Sequence, residues 1–261
     1  MLLPYRANVR VAKNELRDDL FRANERDNEG CRDRAVANHR GAVTPRLALR
    51  SRAEDVRQME NMRVAFGLKA RTGRAALVAI AGDAQQPQFI ERAQIPLLPE
   101  GDWAPYHAAE GLAPADARES VTRSIASAHR LAASGIREAA QRLTAAGHEV
   151  CGCAVLVGTG MPDWSTDEIL AVHVRMHKAE GELFRDVLVA GTRACDLPLT
   201  TLPDKSALDD AAKALGMTRA RLDAQLAALG KSAGPPWTKD QKEAAAAALV
   251  ALERAGRGVV K

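Results

Sequence analysis

The stretch RVAFGLKARTGRAALVAIA, residues 63–81, decides the fold. Arg63 to Leu68 is a short apolar run, Lys69 to Gly73 is polar and closes on a glycine, and Arg74 to Ala81 is a second apolar run. Two such runs joined by a short glycine-bearing link read as a β-hairpin. Gln88 to Leu98 carries Phe89, Ile90, Ile95 and Leu97 between Pro87 and Pro99, which predicts a third strand. Short connections throughout predict an antiparallel meander.

Downstream the period changes. From Pro114 to Ala146 the residues Val121, Ile125, His129, Ala132, Ile136 and Leu143 fall on one stripe of a long helix, which Gly147 stops. Val150 to Val157 (VCGCAVLV) is apolar on both faces, as a central buried strand requires, and Gly158-Thr159-Gly160 ends it. A helical stretch broken in its middle runs from about Ser165 to Cys195. Leu199 to Leu202 is a fifth strand between Pro198 and Pro203. Two short helices, about Ser206 to Leu215 and Thr218 to Leu229, precede a hinge of Gly230, Gly234, Pro235 and Pro236. A last helix opens with a capping box, Thr238 with Gln241 three residues on. The order β-β-β-α-β-α-β-α predicts an α/β fold: a mixed five-stranded sheet, an antiparallel meander followed by alternating helices and strands, with helices on both faces.

Upstream the reading changes character. Residues 1–60 hold twelve arginines and a single lysine, Lys13, with no sustained period of 3.6 or 2. Such a stretch buries too little apolar surface to offset the entropy of ordering it. The expectation is a domain at 62–261, with translation starting at Met59 or Met62 and residues 1–61 a disordered or mis-annotated extension.

The composition sets limits on function. The chain has 261 residues, 46% hydrophobic but only 3% aromatic, so its core must be built from Ala, Leu and Val. A net charge of +4 is too mild to argue for nucleic acid by itself. No apolar run is long enough for a membrane span, and no apolar leader opens the chain, so a cytoplasmic protein with no membrane partner is expected. Abundant Ala and Arg point to a high-GC bacterial source. Cys31, Cys151, Cys153 and Cys195 show no C-x-x-C spacing. Reduced thiols are expected, with Cys151 and Cys153 on one face of a buried strand.

Three segments taken together resemble RuvC-type Holliday-junction resolvases of the RNase H-like superfamily, over about Arg63 to Ala255. They are GLKARTGRAAL (67–77), AEGELFRDVLVAGTRACDLPL (179–199) and PPWTKDQKEAAAAAL (235–249). The resemblance implies an RNase H-like sheet. Members that cut nucleic acid hold two Mg²⁺ ions with carboxylates from strand one, strand four and the last helix. Here the strand-one position is Lys69, Val150 to Val157 holds no acid, and only Asp240 matches. One carboxylate cannot hold two hard cations, so the resemblance implies the fold without the nuclease chemistry.

Three candidate sites follow. His173, His177 and Glu180 share one helix face, a spacing that suits a metal or an acid-base pair, and Tyr106-His107-Ala108-Ala109-Glu110-Gly111 echoes the segment around His177. A solvated polar face explains the same spacing. His107, His177 and Glu180 are the candidate catalytic residues. No metal is assigned, because the helix offers no third ligand, and no motif names a cofactor. The second site joins Lys69, Gly158, Gly160, Thr238, Lys239 and Asp240 at the strand ends and a helix N-terminus, where a phosphate would sit. An ordinary capped helix, or a salt bridge between Lys69 and Asp240, is the alternative. The third is residues 207–229, which resemble a helix-turn-helix offering Arg219 and Arg221 to DNA, or a plain packed hairpin. The expected function is a non-nuclease protein binding a nucleotide or nucleic acid. The alternatives are an enzyme centred on His177 and Glu180, or a DNA-binding protein using 207–229.

Overall fold

The computed structural model describes residues 62–102 and 104–257, so the expected extension at 1–61 lies outside the described residues. Strands β1 (Arg63–Arg71), β2 (Arg74–Gly82) and β3 (Pro87–Pro96) form the meander. Gly73 sits at φ 69° in the β1–β2 link, a conformation that side chains adopt reluctantly. Helix α1 (Pro105–Ala108) and the long α2 (Pro114–Ala145) lead to β4 (Glu149–Val157). Then come α3 (Thr166–Leu170), α4 (His173–Ala194), β5 (Leu199–Pro203), α5 (Ala207–Ala214), α6 (Arg219–Ala233) and α7 (Lys239–Arg257). The sheet order is β3-β2-β1-β4-β5; β1, β2 and β3 pair antiparallel, and β1-β4 and β4-β5 pair parallel. This is the expected mixed five-stranded sheet, an antiparallel meander followed by parallel strands, with helices on both faces.

The two faces carry separate cores. On one, Phe66, Leu68, Leu77, Cys153 and Val155 meet Ala132, Ile136 and Leu143 of α2 and Phe184, Val187 and Leu188 of α4. On the other, Ala65, Val78, Ile80, Ala154 and Leu156 meet α5, α6 and α7. Every residue from Ala244 to Leu252 is buried. With few aromatic residues to fill space, the layers close by approaching each other. A Cβ on Gly67 would lie 1.8 Å from the Ala244 carbonyl oxygen, so α7 rests on the bare backbone of β1. Gly191 of α4 likewise lies against the backbone of Ala132 and Ala133 in α2.

Four expectations are corrected. First, Lys69 lies inside β1, because pairing with β2 continues to Arg71–Arg74. Second, Cys151 and Cys153 face opposite cores. The β1–β4 register runs Val64–Val150 and then Ala65–Gly152, leaving Cys151 as an extra residue in a bulge that turns its side chain over. Third, the Pro- and Gly-rich loop before α2 contains α1. Fourth, Gly230 lies within α6 and is not part of a hinge. A Cβ there would sit 2.4 Å from the Trp237 ring, so this glycine marks where the indole docks on the helix. Trp237 Nε1 donates to the Leu226 carbonyl at 3.0 Å. Among the described residues, no helix is long and apolar enough to cross a membrane.

Candidate functional site

The C-terminal edge of β1 is an ion-pair network. Lys69 is 6% exposed, and its ammonium hydrogen-bonds Asp204, which follows β5 directly. Its Nζ also lies 3.0 Å from Glu243 Oε2 on α7, an ion pair without hydrogen-bond geometry. Arg185 of α4 donates to the other Asp204 oxygen at 2.8 Å. Arg71 donates to Asp240 at 2.9 Å. The anticipated salt bridge therefore forms with different partners: Lys69 with Asp204 and Glu243, and Asp240 with Arg71. Burial pushes the Asp204 carboxyl up, and Lys69 and Arg185 outweigh it, holding it below its ordinary value. The Asp240 carboxyl is held low mainly by Arg71. Three carboxylates thus meet three cations. The acid of β4, Glu149, is exposed at the opposite end of the strand beside Arg63, 3.9 Å away.

The other residues anticipated around a phosphate do not gather into one pocket. Thr238 is occupied in the capping box of α7: its N–H donates to Gln241 Oε1 at 2.8 Å, and Gln241 N–H donates to Thr238 Oγ1 at 3.4 Å. Lys239 is largely exposed and reaches Glu243 at 3.7 Å. Gly158 lies under the Glu182 carboxylate, whose oxygen would stand 2.3 Å from a Cβ there, and Gly160 is open. A cleft of about 310 Å³ does form at the carboxyl ends of β4 and β5, lined by Gly158, Thr159, His177, Lys178, Arg185 and Lys205 together with Glu182 and Asp204. Lys178 and Arg185 reach Glu182 at 4.0 and 3.8 Å. Lys205 is exposed and makes no ion pair among the described residues.

His107, His173, His177 and Glu180 do converge. Pro105 starts α1, whose N-terminal residue Ala104 supplies no side-chain cap. Glu180, buried on α4, fills that role: its Oε1 accepts the Tyr106 and His107 N–H groups at 3.1 and 3.2 Å. The same carboxylate holds His107 Nδ1 at 2.8 and 2.9 Å. This clamp sets the His107 ring against His173 and His177, with ring centroids 5.0 and 4.5 Å away. His173 and His177, one turn apart on α4, bring their Nε2 atoms to 3.1 Å. Glu110 is exposed and stays outside the cluster.

Residues 207–229 pack as a hairpin. Leu222, Leu226 and Leu229 are buried in the core beneath α7. Arg219 is bound to Asp209 at 2.6 Å and Asp223 at 3.0 Å, and Arg221 to Gln85. The two arginines of the helix-turn-helix reading are thus engaged within the fold.

Asp204, Glu243, Arg71 and Arg185 were not anticipated. A signal for Glu243 existed, since it follows Asp240 by three residues on the same helix face. Nothing local marks Asp204 as a partner for Lys69, from which it is separated by most of the domain.

No protein-family model and no curated protein matches the chain. Among solved structures, it is similar to Thermus thermophilus RuvC in complex with a Holliday-junction substrate, at 12% identity and a TM-score of 0.43, covering 75% of this chain and 96% of that one. A second Thermus thermophilus RuvC structure aligns at 13% identity and a TM-score of 0.39, covering 72% and 92%. Resolvases of the RuvC type are thus what this chain is distantly similar to.

Proposed function

We propose that this chain is a non-nuclease RNase H-like protein that holds a phosphate-bearing ligand, a nucleotide or a nucleic-acid strand, in the cleft at the carboxyl ends of β4 and β5. The observation that carries the non-nuclease half is the position of Lys69 between Asp204 and Glu243. A two-metal clamp needs free carboxylate oxygens, and an ammonium seated among them competes with Mg²⁺ for the same lone pairs. The ligand half rests on the cleft, which lies where open α/β sheets bind ligands. Its lining pairs three cationic side chains, Lys178, Arg185 and Lys205, with two carboxylates, Glu182 and Asp204. The exposed Lys205 supplies the uncompensated charge.

The test uses calorimetry of the full chain with inorganic phosphate, mononucleotides and short single-stranded DNA, alongside a nicking assay in Mg²⁺. Binding that weakens about tenfold in Lys205→Glu, with no Mg²⁺-dependent cleavage of branched DNA or RNA–DNA hybrid, supports the reading; tenfold corresponds to about 1.4 kcal/mol. Affinity unchanged in Lys205→Glu defeats the ligand half. Nicking that disappears in Asp240→Asn defeats the non-nuclease half.

A second reading is favoured by one observation. His107 and Glu180 form a close couple beside His177, which itself lines the cleft. A histidine oriented by a buried carboxylate is the arrangement of an acid-base catalyst. His107, His177 and Glu180 are therefore the residues to substitute first if turnover of a cleft ligand is detected.

A further inference from the structure

We propose that His107, His173 and His177 form a transition-metal site for Zn²⁺, with one coordination position left for water or ligand. One ring nitrogen from each histidine lies within 4.8 Å of one from each of the others. Two nitrogens bound to one tetrahedral zinc at ~2.05 Å stand roughly 3.3 Å apart. His173 Nε2 and His177 Nε2 are separated by 3.1 Å, already that spacing. Closing the site requires the imidazoles to rotate until the third nitrogen reaches the same point.

The state of His107 carries the argument further. Its Nδ1 faces both oxygens of a buried carboxylate, so Nδ1 donates to Glu180, and in the neutral ring the lone pair is on Nε2. That Nε2 is buried and has no hydrogen-bond partner among the described residues. A buried acceptor without a partner is costly, and a metal bond would satisfy it. A carboxylate on the far nitrogen of a metal-bound histidine fixes the tautomer and strengthens the ligand. Glu180 stands in that relation to His107 and is itself fixed by two backbone N–H groups. Three imidazoles suit zinc among the divalent ions, and three protein ligands with one open position are the donor set of reactive rather than structural zinc. His177 also lines the cleft, so the metal would stand at the rim of the cavity.

The experiment titrates the full chain with Zn²⁺ alone by calorimetry, and with Co²⁺ by visible absorption, which intensifies in four-coordinate geometry. The expected result is one metal per chain with a four-coordinate cobalt spectrum. His173→Ala and His177→Ala each weaken binding by on the order of a hundredfold or more, and both residues are exposed, so the variants should fold. Glu180→Gln keeps the side-chain shape and weakens binding by roughly 10–100-fold. Absence of stoichiometric binding overturns the site. Affinity unchanged in both His173→Ala and His177→Ala overturns it as well, because the metal is then held elsewhere. Affinity unchanged in Glu180→Gln overturns the role given to that carboxylate.

Discussion

Replacing Lys69 with methionine keeps most of the side-chain volume and removes the charge that separates Asp204 from Glu243. The Lys69 and Glu243 side chains are 7% and 8% exposed, and that of Asp204 15%. Removing one partner of a buried pair costs about 3–5 kcal/mol, because the other charge is stranded. Asp204 keeps Arg185 at 2.8 Å, and Glu243 retains the exposed Lys239 at 3.7 Å, which places the loss at the low end. About 3 kcal/mol in a domain of this size lowers Tm by roughly 6–12 °C. The pH dependence supplies a second check. In the native protein the Asp204 carboxyl is held below its ordinary value. Its stabilisation is therefore present above the unfolded pKa of about 3.9 and is lost only as pH falls through the still lower folded value. Without Lys69, Asp204 faces Glu243 with less cationic compensation while its burial still pushes its carboxyl up, so the folded pKa of Asp204 rises. The folded state then takes up protons in preference to the unfolded state, so acidification from pH 7 to pH 5 stabilises the variant relative to the parent. Thermal melts of both proteins at the two pH values decide the matter. A Tm difference under about 2 °C at pH 7, or one that widens at pH 5, refutes the reasoning.

Other perturbations test the fold around the sites. Gly67→Ala drives a methyl group onto the Ala244 carbonyl and should cost about 3 kcal/mol or more, read as a Tm loss or failure to accumulate soluble protein. Arg219→Ala with Arg221→Ala removes only exposed pairs; stability should stay within about 1 kcal/mol and any DNA affinity, followed by fluorescence anisotropy, should not change. Burial pushes the Cys153 thiol up to about 12, so iodoacetamide at pH 8 should leave Cys153 unmodified in the native protein and alkylate it after unfolding, as read by mass spectrometry. A chain beginning at Met62 should melt within about 5 °C of the full chain, a larger drop giving residues 1–61 a part in the fold.

The sequence by itself determined the elements, because their signals are local. Alternating apolar runs with short links specify the meander. A 3.6-residue stripe specifies α2 from Pro114 to Ala145, and an apolar run closed by glycine specifies β4. The order of those elements was enough to imply the mixed sheet. Tertiary structure alone decided who meets whom. The spacing of His173, His177 and Glu180 was legible on one helix, but His107 joins them only because a four-residue helix finds its cap in a carboxylate more than seventy residues away. Lys69 was read either as part of an anion site or as a partner of Asp240, and its partners are Asp204 and Glu243, brought in by β5 and α7. Cys151 and Cys153 obey the period of two until a bulge in the β1–β4 pairing breaks it. Each of these outcomes depends on strand register and on how closely α7 and α4 approach the sheet. Those are set by the packing of residues distant in the chain, and no window along the sequence contains both halves of such a contact.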